Sequence, residues 1–209
     1  MFVVTGVLLF LHVLGSCIGL STVTSRSSTT SFQGNKPQFM ATLYANDPIG
    51  RTLSLTSGNY GMIMQDLGVY NQGSDIDFNG YQKGNFSVGI EGARVGVIMD
   101  IGSTTELPKI YGYSETVGGG QGYASIHRQN NEILILKSAY SNPKTFQPIK
   151  QSNMLFNQGK GMAAASINLG HIYLIRITDT YNTSFELIVK LLVIAYTPNV
   201  SVTIRWGLL

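Results

Sequence analysis

One stretch of the sequence has the spacing of a metal loop. Asp75-Ile76-Asp77-Phe78-Asn79-Gly80 matches D-x-[DN]-x-[DN]-G, the opening of a calcium loop, where alternate oxygens converge on the ion and glycine permits a sharp turn. The match fails at the twelfth position, where Phe86 stands in place of a bidentate glutamate. Ile76 and Phe78 also alternate as strand residues facing a core do. The same residues therefore read as a strand that carries two aspartates into an Asn-Gly turn, and this reading outweighs the metal. Calcium at Asp75, Asp77 and Asn79 remains the one candidate cofactor.

A second group lies in residues 102–122, which show no periodicity and include Gly118-Gly119-Gly120-Gln121-Gly122. A connection this long in a compact domain is usually functional or mobile. Its tyrosines pair an apolar ring with a polar tip, a combination suited to ligand contact, which makes Tyr111, Tyr113, Gln121 and Tyr123 the candidate ligand-binding residues. The glycine run is not a nucleotide fingerprint, because Tyr123 occupies the third glycine position of G-x-G-x-x-G.

Catalysis finds little to work with. There is no G-x-S-x-G elbow and no H-E-x-x-H pair, and beyond the first twenty residues His127 and His171 are the only histidines. Each sits near the end of an expected strand and reads as a surface or satisfied side chain. Glu91, Asp100, Glu115 and Asp179 keep a carboxylate glycoside hydrolase as the alternative, since any two of them brought together in space would supply the acid pair. Asn85-Phe86-Ser87, Asn182-Thr183-Ser184 and Asn199-Val200-Ser201 are glycan acceptor sequons.

The elements that would position these residues read almost entirely as strands. Residues 170–206 contain three runs rich in Ile, Val, Leu, Tyr and Thr separated by two polar breaks, the pattern of an antiparallel meander. In the last run Val202, Ile204 and Trp206 share the inward face; in the middle run Phe185, Leu187, Val189, Leu191, Val193 and Ala195 share one face, with Glu186 and Lys190 on the other. Residues 39–45 and 51–56 flank a turn cluster and read as a hairpin. Residues 94–101 are apolar on both faces beyond Arg94 and read as a central strand. Residues 123–127 and 132–137 form another hairpin. Only in residues 60–70, where Ile63, Leu67 and Tyr70 fall at helical spacing between glycines, does a short helix compete with an irregular connection. The expected fold is all-β: an antiparallel β-sandwich or jelly-roll-like domain, ending in the three-stranded meander, with room for one short helix. The Tyr173-Leu174-Ile175-Arg176 strand followed by the lysine-bearing strand resembles the closing hairpin of secreted β-sandwich proteins, including bacterial haemophore-like lipoproteins.

Composition sets the outer bounds. The 209 residues are 12% charged, with 24 glycines, 11 tyrosines and a net charge of +3, which suits a β-rich extracellular protein. The basic residues form no stripe, so nucleic acid is not an expected partner. Residues 1–19 have the apolar run and small residues of a secretory signal, though without a basic start; residues 20–37 are a Ser/Thr-rich flexible linker; residues 38–209 are the folded domain. Cys17, the only cysteine, would leave with the signal. No stretch of the mature chain is long and apolar enough for a membrane span. The expected protein is a secreted β-rich binding domain for a glycan or a surface-protein ligand, without catalytic activity. Besides the hydrolase, a structural matrix or coat component is the alternative.

Overall fold

The computed structural model describes residues 38–61, 65–66, 69–70, 73–112, 125–138, 145–157 and 162–209, which belong to one compact unit. The expectations for residues 1–37 lie outside the described residues. In chain order the strands are β1 (Gln38–Tyr44), β2 (Thr52–Leu53), β3 (Gln65–Asp66), β4 (Val69–Tyr70), β5 (Ile76–Phe78), β6 (Asn85–Val88), β7 (Arg94–Ser103), β8 (Ile126–Gln129), β9 (Glu132–Ser138), β10 (Thr145–Pro148), β11 (Ala164–Ser166), β12 (His171–Asp179), β13 (Glu186–Thr197) and β14 (Ser201–Leu208). The helical elements are α1 (Leu107–Tyr111) and a 3-10 turn at Ser152–Leu155. All strand pairings are antiparallel.

β12 and β13 carry apolar residues at successive positions, so both of their faces need cover. They sit inside a five-stranded sheet of order β1-β14-β13-β12-β7. On one face Tyr173, Ile175, Val189, Leu191 and Trp206 pack in a core with Leu53, Ile76, Phe78 and Phe86, which belong to a four-stranded sheet of order β11-β6-β5-β2 or to its strand ends. On the other face Ile172, Leu174, Ile188 and Leu192 pack with Ile126, Ile133, Ile135, Leu107 and Leu155, beneath the three-stranded sheet β10-β9-β8, α1 and the 3-10 turn. The fold is thus an antiparallel sandwich with a further small sheet on its outer face. Glu186 ties that third layer down: it accepts from Arg176 Nε at 2.7 Å and from Arg128 of β8, and both guanidinium groups lie within 5.5 Å of the Phe156 ring centre.

The meander β12-β13-β14 and the inward face Val202, Ile204 and Trp206 are as expected. The inward face of β13 runs as expected through Val193 and breaks at Ala195, which is exposed beyond a register shift, so that Tyr196 packs against the core instead. Ile188 and Leu192 stand between Glu186 and Lys190 and beyond them, and they are buried by the third layer. β1 also differs, for it pairs with β14 from Gln38↔Gly207 to Tyr44↔Ser201, while β2 pairs with β5. The turn between them exists, with Asp47 Oδ1 accepting the Ile49 N–H at 2.9 Å. It carries the chain from one sheet to the other, because Leu43 and Leu53 must enter the same core from opposite sides. β7 is an edge strand by hydrogen bonding, although Val97 and Ile98 are buried on opposite faces. The exit of β6 crosses β7 so closely that a Cβ on Gly96 would lie 2.5 Å from the Gly89 nitrogen.

The helix stands elsewhere than expected. Within residues 60–70 the described parts include the short strands β3 and β4, whereas α1 occupies part of the loop read as aperiodic. Its signals are local: Pro108 in the first turn, Leu107 and Tyr111 one turn apart and both buried, and Gly112 closing the helix at φ 69° with its N–H donating to the Pro108 carbonyl.

Candidate ligand-binding cleft

The aspartates of the metal-like stretch hold backbone. Asp75 Oδ2 accepts the Leu55 N–H at 2.7 Å, and Asp77 Oδ1 accepts the Gly80 N–H at 2.7 Å and the Tyr81 N–H at 3.3 Å. Asn79, at φ 67°, accepts the Gly84 N–H through Oδ1 at 2.6 Å. Each thus clamps a different stretch of chain, and Arg51 Nε stands 3.3 Å from Asp77. Both aspartates are buried, and desolvation pushes their carboxyls up. Among the described residues no three His, Cys, Asp or Glu side chains group to hold a metal ion.

Asp75 instead belongs to a covered charge cluster that local spacing could not reveal. Arg94, at the start of β7, places Nε 3.2 Å from Asp179 Oδ2 at the end of β12 and lays its guanidinium 3.4 Å from the Phe185 ring centre. Glu91 is 4% exposed. Burial, aided by the Asp75 charge, pushes its carboxyl up to about 7, against the opposing pull of the Ser74 N–H and Arg94. A carboxyl raised in the folded state favours folding while protonated. That stability is complete below about 4.5 and is lost as pH rises through about 7. Glu91→Gln should therefore flatten the decline in stability between pH 5 and 8. At pH 8 it should stabilise by about 1–2 kcal/mol, less than the full linkage, because the amide that replaces the carboxyl is itself costly to bury. Urea titrations at both pH values check it; equal slopes for the two proteins would refute the assignment.

Of the predicted ligand-binding residues, Tyr113, Gln121 and Tyr123 lie outside the described residues, as does Glu115. Tyr111 is buried. Its hydroxyl accepts the Lys150 N–H at 3.0 Å and its carbonyl accepts from Gln147 Nε2, so it fixes the segment that enters the 3-10 turn. Of the sequon asparagines, Asn182 and Asn199 are exposed in the two meander turns, while Asn85 begins β6 and donates Nδ2 to Gln82 Oε1 at 2.7 Å.

That anchored segment forms one wall of a cleft of about 330 Å³. The cleft runs along the edge of β7, with β11 on one side and the 3-10 turn on the other. Val97, Ile98, Ala164 and Ala165 give it apolar surface, and Met99, Met154 and Met162, three of the four described methionines, line it as well. Gln151 also lines it, in the left-handed conformation at φ 61° and ψ 8°. Such backbone is strained for a side chain with a Cβ, and strain of this kind collects at binding sites. Gln151→Gly should raise stability by about 0.5–1 kcal/mol while weakening whatever ligand the cleft holds; a thermal melt read beside a binding titration separates the two effects.

The polar end of the cleft is built by β7, β12 and their connections. Asp100 accepts the Gly102 N–H at 2.9 Å and Asn168 Nδ2 at 3.1 Å, and His171 Nδ1 lies 2.9 Å from its Oδ2. The Tyr173 hydroxyl accepts the Asn168 N–H at 2.9 Å and donates to the Ser166 carbonyl at 2.8 Å; burial drives that phenol far above its usual range. His171 and Asp100 thus form a pair across adjacent strands that no local spacing signals. His127 packs edge-on to Phe146 at 4.1 Å, and burial lowers its pKa. No family model, curated protein or solved structure matches this chain.

Proposed function

We propose that this protein is a secreted, non-enzymatic binding domain that takes an extracellular ligand in the cleft between β7, β11 and the 3-10 turn. The observation that carries the reading is the cleft itself: about 330 Å³, largely apolar, with a few polar groups fixed at one end, the usual make-up of a preformed ligand site. The methionines add adaptable walls. A surface-protein ligand fits better than a glycan, since among the described residues no aromatic ring lines the cleft as a stacking platform for sugar. Of the acids that made a carboxylate hydrolase the alternative, Glu91 and Asp179 are buried, Glu115 lies outside the described residues, and among the described residues only Asp100 lines the cleft, where hydrolysis needs two.

Protein labelled with 13C at the methionine methyl groups tests the site. Titration with extracellular protein fractions and with a glycan panel should move the Met99, Met154 and Met162 resonances together and leave Met40 still; unmoved resonances across both panels would sink the reading. Secretion is tested separately, by a mature chain that begins at Leu20 and by a mass shift on deglycosylation that is lost with Asn182→Gln and Asn199→Gln.

A further inference from the structure

We propose that the cleft receives one lysine side chain of a partner protein, with its alkyl stem along the methionine-lined walls and its ammonium against Asp100. The proposal rests on the cleft being the binding site and names the chemistry of its ligand. Size sets the first limit. The Ile98 N–H donates to the Met162 carbonyl at 2.9 Å at one end of the cleft, and Asn168 Nδ2 donates to Asp100 Oδ2 at 3.1 Å at the other. A strand rises about 3.4 Å per residue, so residues 98 to 100 span about 7 Å between these closures. That is the reach of one long side chain and too short for a stretch of peptide. The volume of about 330 Å³ agrees, since it stands at the bottom of the range for ligand sites.

Charge sets the second limit. Among the described residues Asp100 is the one charged residue lining the cleft, and its side chain is 29% exposed. Its partners are the Gly102 N–H, the Asn168 amide and His171 Nδ1, which lies 3.0 Å from Oδ1 and 2.9 Å from Oδ2. No described lysine or arginine pairs with it. With the imidazole neutral, the carboxylate keeps its negative charge, and three donors leave one of its roughly four acceptor positions open. Both oxygens are already engaged, so the free pair that an arginine fork needs is not on offer. An ammonium is a compact point charge and needs only the single open position. Ser166 and Asn168 line the cleft at this end and offer further oxygens to its remaining donors. Behind the head, a lysine stem is stabilised by apolar cover. Ala164, Ala165, Met99 and Met154 supply it, and the flexible thioethers settle around the stem.

The test uses a disulfide-closed loop peptide with a single lysine at its tip, titrated into the protein labelled with 13C at the methionine methyl groups. Matched loops carry arginine, norleucine or acetylated lysine in that place, and pentylamine stands for the side chain without a protein. The lysine loop should move Met99, Met154 and Met162 and bind at least fivefold more tightly than the norleucine and acetyl-lysine loops, and at least threefold more tightly than the arginine loop. Asp100→Asn should remove the preference for lysine over norleucine. A norleucine loop that binds as well as the lysine loop would overturn the proposal. So would methionine shifts caused by pentylamine and by no loop, which would make the cleft a site for free amines. If extracellular protein fractions move the methionine resonances while no lysine probe does, the lysine proposal falls and the binding reading stands; if neither moves them, both fall. The loop-side changes keep the test decisive even where Asp100→Asn weakens the fold.

Discussion

Arg94→Ala should lose about 3–5 kcal/mol of stability at pH 7, the cost of leaving a covered carboxylate without its partner charge. Asp179 is the group left behind. Its side chain is 1% exposed, its Oδ1 accepts the Tyr181 and Asn182 N–H groups at 2.8 Å each, and its Oδ2 faces Arg94. Asp75 and Glu91 lose the same counter-charge, since Arg94 draws both of their carboxyls down against burial. The loss is a large part of the stability of a domain, ordinarily 5–15 kcal/mol. Arg94→Lys keeps the charge but not the flat contact with Phe185 or the fork of donors, and should lose about 1–2 kcal/mol. Arg94→Met combined with Asp179→Asn should recover at least half of the loss, because the carboxylate charge leaves with its partner while the amide oxygen still serves Tyr181 and Asn182. Chemical denaturation of the four proteins measures this, and a loss below 1 kcal/mol for Arg94→Ala would show the cluster to be solvated.

Alternation identified β14 and its inward residues because the face of a strand is set by a period of two, a local property. The same rule failed at the end of β13: a register shift after Val193 turns Ala195 outward and Tyr196 toward the core, and a period of two cannot foresee it. The hairpin of β1 with β2 failed for a related reason, as a turn fixes a change of direction but not which sheet the chain enters next. Local signals for α1 were present in Pro108, Leu107, Tyr111 and Gly112, and the surrounding glycines and polar residues diluted them. Sites fared worst. Asp100 and His171 are 71 residues apart in sequence and meet only because β7 and β12 are neighbours. Asp75 and Asp77 looked like ligands because they are acids at alternate positions, whereas their partners, the backbone beyond β2 and the Asn79-Gly80 turn, are set by tertiary position and by the turn itself.

Trp206→Ala should be the most damaging single change in the sandwich, about 4–6 kcal/mol. Its side chain is 1% exposed and stacks on Phe39 at 5.3 Å between ring centres. Deleting so large a buried ring costs about 3–5 kcal/mol by itself. The indole also bonds across the two sheets, with Nε1 donating to the Leu55 carbonyl at 2.9 Å in a buried setting. That carbonyl lies beside the backbone that Asp75 holds through the Leu55 N–H, so both polar groups of Leu55 are satisfied by side chains, and the alanine variant strands one of them at a further cost of about 1–3 kcal/mol. The two terms overlap, because water can enter the cavity and reach the carbonyl. Trp206→Phe separates them: it fills most of the space and removes only the donor, so about 1–3 kcal/mol should be lost. As the only tryptophan of the chain, Trp206 reports its own environment, and the Phe variant must be followed by circular dichroism instead. If Trp206→Phe proves as costly as Trp206→Ala, the latch between the sheets lies in the hydrogen bond; if it costs nothing, packing alone holds them, and the Leu55 carbonyl finds water once the indole is gone.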